Sequence, residues 1–347
     1  MSHVRIRLVM GVLCAGLLAC ALPAAASARK PVIAYVEGGQ FKLFDAELGQ
    51  DVAPPPVPVP ALGFRFGISR NGRYVFFNDA NKKLHLLDRQ TNQQLPLPGI
   101  DVYANPAFLT VSDGGLLAFD QNVNGPTVVY DSKTMQFVNS GLASTNGNRQ
   151  PQLSPGGGFL ITTCNSAADC PTPTSGADPF LQDLTAKTNI SLSGATDAAK
   201  DEEDPCIGSG GNLLGWQKPN PVQKDVLIWD RAANSFLALP NLNSATFDDV
   251  FCVLDANGDY IGLMSNNVFK LYQRSSGTFV PLPAKPFLSS NAANAIFSSP
   301  FVPVSAASPC AGKKGKARKR CLCKQKKNKH KRKKCLKKLK AKGRKRR

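Results

Sequence analysis

A unit of about 43 residues that recurs along the chain constrains the fold more than any other feature. Its clearest mark is a turn of the form S-x-x-G-x-Φ, set between two apolar strands. The turn reads Ser69-Arg70-Asn71-Gly72-Arg73-Tyr74, then Ser112-Asp113-Gly114-Gly115-Leu116-Leu117, then Ser154-Pro155-Gly156-Gly157-Gly158-Phe159. Weaker copies begin at Gly208 and Asp255, so successive starts differ by 43, 42, 54 and 47. A second mark keeps the same period. An aspartate closes an apolar strand at Asp45, Asp88, Asp131, Asp183 and Asp230, with Gln273 in the sixth place, at spacings of 43, 43, 52, 47 and 43. Glycine admits the positive φ such a turn needs, and aspartate accepts hydrogen bonds from the backbone just downstream.

Six aspartate-type positions against five turns mean that the first unit lacks its first strand. The chain enters that unit at its second strand, near residues 32–36, and residues 293–298 lie in register to supply the missing one. A ring sealed by both ends of the chain leaves no open sheet edge. The expected fold is therefore all-β: a six-bladed β-propeller of four-stranded blades closed by both termini. The period and turns resemble the TolB-type, WD-repeat-like six-bladed propellers over residues 31–301. The resemblance implies the fold and no activity. The TolB N-terminal α/β domain is not expected before the ring, nor a hydrolase domain after it.

Composition supports many short strands: 42% apolar residues, 29 Gly and 26 Pro in 347 residues. The net charge of +19 is not spread evenly. Residues 313–347 hold 22 Lys and Arg and no Asp or Glu, which leaves residues 1–310 with 21 basic against 24 acidic side chains. Residues 1–28 read as an export signal: Arg5 and Arg7, an apolar run over 8–22, and Ala26-Ser27-Ala28 before Arg29. Leu17-Leu18-Ala19-Cys20 is a second reading, a lipobox that would lipidate Cys20. No later segment is apolar enough to span a bilayer, so the mature chain is expected to have no transmembrane span. The expected organisation is 1–28 signal, 29–301 propeller, 302–309 linker and 310–347 a disordered tail rich in Lys, Arg and Cys.

On a propeller, the turns between strands one and two and between three and four share one face. The connections between blades and between strands two and three share the other, where variable loops place binding sites. That second face carries the candidates. Asp201, Glu202, Glu203 and Asp204 precede the fifth blade, Asp248 and Asp249 stand one blade on, and Trp216 lies beside the segment 217–224. Such carboxylates suit a basic ligand, including the chain's own tail, or a divalent cation; no other cofactor is expected. A solvated acidic loop is the plainer reading. Disulfides fit an exported chain. Cys164 and Cys170 bracket the start of an insertion over residues 165–177, and Cys206 and Cys252 stand in the innermost strands of neighbouring blades. Catalytic motifs are thin: the three histidines are His3, His85 within a strand, and His330.

The basic tail suits polyanions held by counterion release. Outside a bacterial cell these are wall polymers and anionic lipid, and export makes nucleic acid a poor physiological partner. The expectation is an exported binding or scaffold protein of the envelope, its partner an envelope protein or an anionic wall polymer or lipid. The alternative is an exported metal-dependent hydrolase or lyase using channel-mouth carboxylates.

Overall fold

The computed structural model describes residues 30–37, 40–52, 62–79, 81–100, 108–120, 127–139, 148–164, 177–192, 194–197, 200–285 and 296–297. The expected leader, linker, basic tail and most of the 165–177 insertion lie outside the described residues. Six antiparallel four-stranded sheets form, and no α-helix occurs among the described residues. Blade 2 shows the pattern: Leu62–Ile68, Tyr74–Asp79, Leu84–Asp88 and Gln93–Leu95, in that order from the axis outwards. Blade 1 takes its innermost strand from the far end of the chain. Ile296–Phe297 pairs antiparallel with the start of Val32–Glu37, so both ends seal one blade as the repeat arithmetic requires.

The core is not one body but six. One buried apolar cluster lies between each pair of neighbouring blades. Ile33, Tyr35 and Phe44 of blade 1 meet Val253, Tyr260 and Leu271 of blade 6, which closes the ring. Phe41 and Leu43 meet Phe66 and Val75 between blades 1 and 2. Four further clusters join blades 2 to 3, 3 to 4, 4 to 5 and 5 to 6. Strands read apolar on both faces because each sheet is sandwiched between two others.

The repeat motif acts as a latch. The Ser69 hydroxyl accepts the Tyr74 N–H at 2.9 Å, Ser112 accepts that of Leu116 at 3.0 Å, Ser154 that of Phe159 at 3.0 Å, and Asp255 that of Tyr260 at 3.0 Å. Successive turns then bond across blades: Asn71 N–H to Asp113 at 2.7 Å, Asp113 N–H to the Pro155 carbonyl at 2.8 Å, and Ser209 N–H to the Ala256 carbonyl at 3.1 Å. The strand-closing aspartates accept from residues two or three ahead, as Asp230 does from Ala232 and Ala233 at 3.0 Å. In blade 6, where Gln273 stands instead, Asp259 of the neighbouring turn accepts the Ser275 N–H at 3.0 Å.

Two glycines mark close approaches. A side chain at Gly67 would place its Cβ 2.5 Å from the Leu109 carbonyl oxygen, where the innermost strands of blades 2 and 3 touch. At Gly215 the Cβ would lie 2.7 Å from Cys206 Sγ, 2.8 Å from Cys252 Sγ and 2.7 Å from Ile228 Cδ1. Cys206 and Cys252 form a disulfide with Cα atoms 5.6 Å apart, joining the innermost strands of blades 5 and 6. A glycine within a strand here makes room for the crosslink. Cys164 is also disulfide-bonded, while Cys170 lies outside the described residues.

Candidate functional site: the cleft at the channel mouth

The two faces of the ring differ in kind. One is the latched turn face. There, in blades 2 to 6, each turn between strands three and four bonds back to its own motif turn, as in Arg89 N–H to the Arg73 carbonyl at 2.8 Å. Arg70 lies buried on this face, its charge felt by Asp113 of blade 3 and Asp255 of blade 6, and burial pulls its pKa down to about 10. Arg70 of blade 2 is thus within electrostatic reach of carboxylates of both blade 3 and blade 6.

The opposite face opens into a cleft of about 980 Å³. Its floor comes from the innermost strands of blades 4, 5 and 6, which bulge at the same place. The register slips between Arg149 and Gln152, between Glu203 and Cys206, and between Val250 and Val253. Gln150, Asp204 and Phe251 each stand four residues before the motif turn and adopt left-handed φ of 58°, 50° and 55°. Bulges of this kind re-aim side chains and gather near functional sites. All three line the cleft. The Gln150 side chain joins two blades: it donates to the Asp204 carboxylate, and its Oε1 accepts the Asp204 N–H at 2.7 Å.

The six carboxylates singled out in the sequence fall into two groups. Asp201 accepts the Ala177 N–H at 3.0 Å, and Asp248 accepts the Lys224 N–H at 2.8 Å. Each pegs the start of the third strand of the preceding blade. Glu202 and Asp249 are fully buried and accept N–H groups of their own loops, from Asp197 at 3.2 Å and from Ser244. Lys218 neutralises Glu202 at 3.1 Å, and burial raises the Glu202 pKa. Glu203 and Asp204 remain for the cleft, with Asp248 on its rim. Burial, and then the charge of Glu203, push the Asp204 pKa up to about 7 against the opposing pull of Lys224. Among the described residues no group of three or more His, Cys, Asp or Glu is arranged to hold a metal ion.

Trp216 stands elsewhere. It is fully buried in the core between blades 4 and 5, edge-on to Phe236 at 5.9 Å, and does not line the cleft. His85 is held on both sides, by Asp79 at 3.0 Å and by Gln94, and stacks on Phe77 at 5.2 Å. The cleft wall includes residues that no motif announced: Gln150, Phe247, Phe251 and Met264. Counting back four residues from each motif turn finds Gln150 and Phe251 in the sequence.

Fold and site together define a six-bladed β-propeller with a polar cleft at one mouth of its channel. Structural comparison agrees on the fold. A chain of a nidogen/laminin complex superimposes with a TM-score of 0.51 at 10% identity, over 77% of this chain and 96% of that one. TolB of Acinetobacter baumannii gives a TM-score of 0.43 at 12% identity, over 72% of this chain and 66% of that one. A TolB-type structure from Agrobacterium tumefaciens gives 0.49 at 12%, over 72% and 87%. No protein-family model matches the chain, and no curated protein matches it.

Proposed function

We propose that this is an exported binding or scaffold propeller of the bacterial cell envelope, whose cleft face receives the ligand and whose basic tail holds the ring to anionic wall polymer or lipid. One observation supports the arrangement. Phe297 pairs with Val32 at the turn-face end of blade 1, so the chain leads toward its tail from the face opposite the cleft. A ring tethered through residues 310–347 is thus free to present its cleft away from the anchoring surface. Among the described residues no helix is long and apolar enough to cross a membrane.

The test is sedimentation of mature protein with isolated envelopes across a salt series, beside a variant truncated after Pro309. Full-length protein should pellet at low salt and release above roughly 0.5 M, where screening lengths fall to a few Å. Equal pelleting of both forms would place the anchor in the ring or at Cys20 instead. A second reading, acid–base catalysis in the same cleft, is favoured by one observation: a carboxyl near 7 beside a second carboxylate. It requires hydrolase or lyase turnover that Asp204→Asn abolishes.

A further inference from the structure

Asp204 is 7% exposed, and it lines the cleft. Its Oδ1 accepts from Gln150, while among the described residues its Oδ2 takes no hydrogen bond and is open to the cleft. Glu203 is the next carboxylate along the strand, and Asp248 stands exposed on the rim. Against these three, the residues lining the cleft offer one cation, Lys224, 3.7 Å from Glu203. Phe247 and Phe251 add aromatic wall. Carboxylates beside aromatic surface suit a lysine or arginine, whose stem lies along the rings while its charged head meets the oxygens. Burial holds the Asp204 carboxyl back from ionising, and a cation in the cleft offsets that penalty.

The chain carries such side chains in residues 316–347, which hold 20 Lys and Arg and no Asp or Glu. These residues can reach their own cleft. Even the longest route from Phe297 runs out along a blade, down its side and back to the axis. With four strands about 4.8 Å apart and about 20 Å long, it is on the order of 60 Å. The 19 residues from Phe297 to Lys316 span about 65 Å when fully extended, and 31 more follow. A segment joined to the ring and long enough to reach the cleft meets it at an effective concentration on the order of 1 mM, so a contact with a dissociation constant of that order is half closed. A second copy at micromolar concentration is at a disadvantage of roughly a thousandfold. Charge, reach and tethering together select the chain's own tail.

We propose that residues 316–347 dock in the cleft of their own ring and close it until an anionic polymer or lipid draws them off. The inference rests on the reading of the cleft as the ligand face and of the tail as the anchor, and it couples the two: anchoring uncovers the cleft. A densely charged polyanion pairs with many more of the 20 cations than three carboxylates can, so the tail leaves the cleft when such a polymer is present.

The test is carbodiimide crosslinking of the mature full-length protein at 50 mM salt over a hundredfold concentration range, with crosslinked peptides read by mass spectrometry. The expected result is amide links from tail lysines to Glu203 and Asp248 in the monomer band, at a yield independent of protein concentration. That yield should exceed the yield at Glu47 and Asp131 on the turn face at least tenfold, and should be lost at 500 mM salt or with sodium polyphosphate. Asp204→Asn should lower it at least threefold. The salt, dilution and polyphosphate arms need no variant and so do not depend on mutant folding. Links found only in dimer bands, links spread evenly over turn-face carboxylates, or no links at all overturn the proposal. Protein that pellets with envelopes yet forms no cleft links refutes this inference and leaves the anchor standing, whereas cleft links lost to polyphosphate in protein that does not pellet refute the anchor alone.

Discussion

Replacing Gly215 by alanine tests whether the inter-blade disulfide sits where the packing says it does. The new Cβ would lie 2.7 and 2.8 Å from two sulfurs bonded to each other and anchored in two different strands. Neither sulfur can turn away without moving a blade. Overpacking of this kind costs about 1–3 kcal/mol. The third neighbour, Ile228 Cδ1 at 2.7 Å, is the end of a flexible side chain and can yield. The crosslink itself closes a loop of 46 residues, and chain entropy values that closure at about 4 kcal/mol. Cys206→Ala with Cys252→Ala should thus lower stability by about that amount, while also removing both sulfurs from the space beside Gly215. Gly215→Ala should then cost less than about 1 kcal/mol in the disulfide-free background. Urea unfolding of the four proteins in a double-mutant cycle reads the difference. A coupling of at least about 1 kcal/mol supports the packing argument, and additivity within about 0.5 kcal/mol refutes it.

Other perturbations follow from the same geometry. Asp204 titrates near 7 in the folded protein against an ordinary value of 3.8, so its share of stability is fully present below about pH 4 and is lost as pH rises through 7. Asp204→Asn, which also tolerates the left-handed φ, should flatten the fall in urea midpoint between pH 4.5 and 7.5 by the equivalent of a few kcal/mol; an unchanged pH profile would contradict the burial argument. Ser154→Ala removes the acceptor of the Phe159 N–H and should cost about 1 kcal/mol in chemical denaturation. Gly67→Ala meets backbone rather than side chain and should cost at least about 2 kcal/mol, with no relief from any nearby side-chain truncation.

Much of the ring was legible because its signals are local. A glycine at positive φ recurs in all five turns, and a serine or aspartate that caps an amide a few residues ahead recurs in four of them. Their spacing counts the blades without knowledge of contacts. The place of the closing strand followed from that count. The roles of the carboxylates were not legible in the same way. Asp201 and Asp248 peg strands of the preceding blade, at Ala177 and Lys224, and that partnership exists only once the blades are stacked. Glu202 and Glu203 are adjacent in sequence yet point to opposite fates, because side chains alternate along an extended segment, and the bulge at Asp204 then breaks the alternation so that Asp204 shares the cleft with Glu203. Trp216 beside a polar loop resembles a binding aromatic in sequence, but its strand position turns it into the core between blades 4 and 5. The place of Gln150, four residues before its motif turn, was legible, but its role was not, because that depends on Asp204, 54 residues away.

The most direct measurement of the central claim, that the cleft face binds and the latched face does not, is hydrogen exchange of the mature protein at 500 mM salt, compared with the same protein at 50 mM salt with excess peptide 313–347. The expected result is added protection confined to Glu203–Ile207, residues 217–224 and residues 246–251, with the turns at 69–73, 112–116 and 154–159 unchanged. Protection on those turns instead, or none on the cleft, would contradict it.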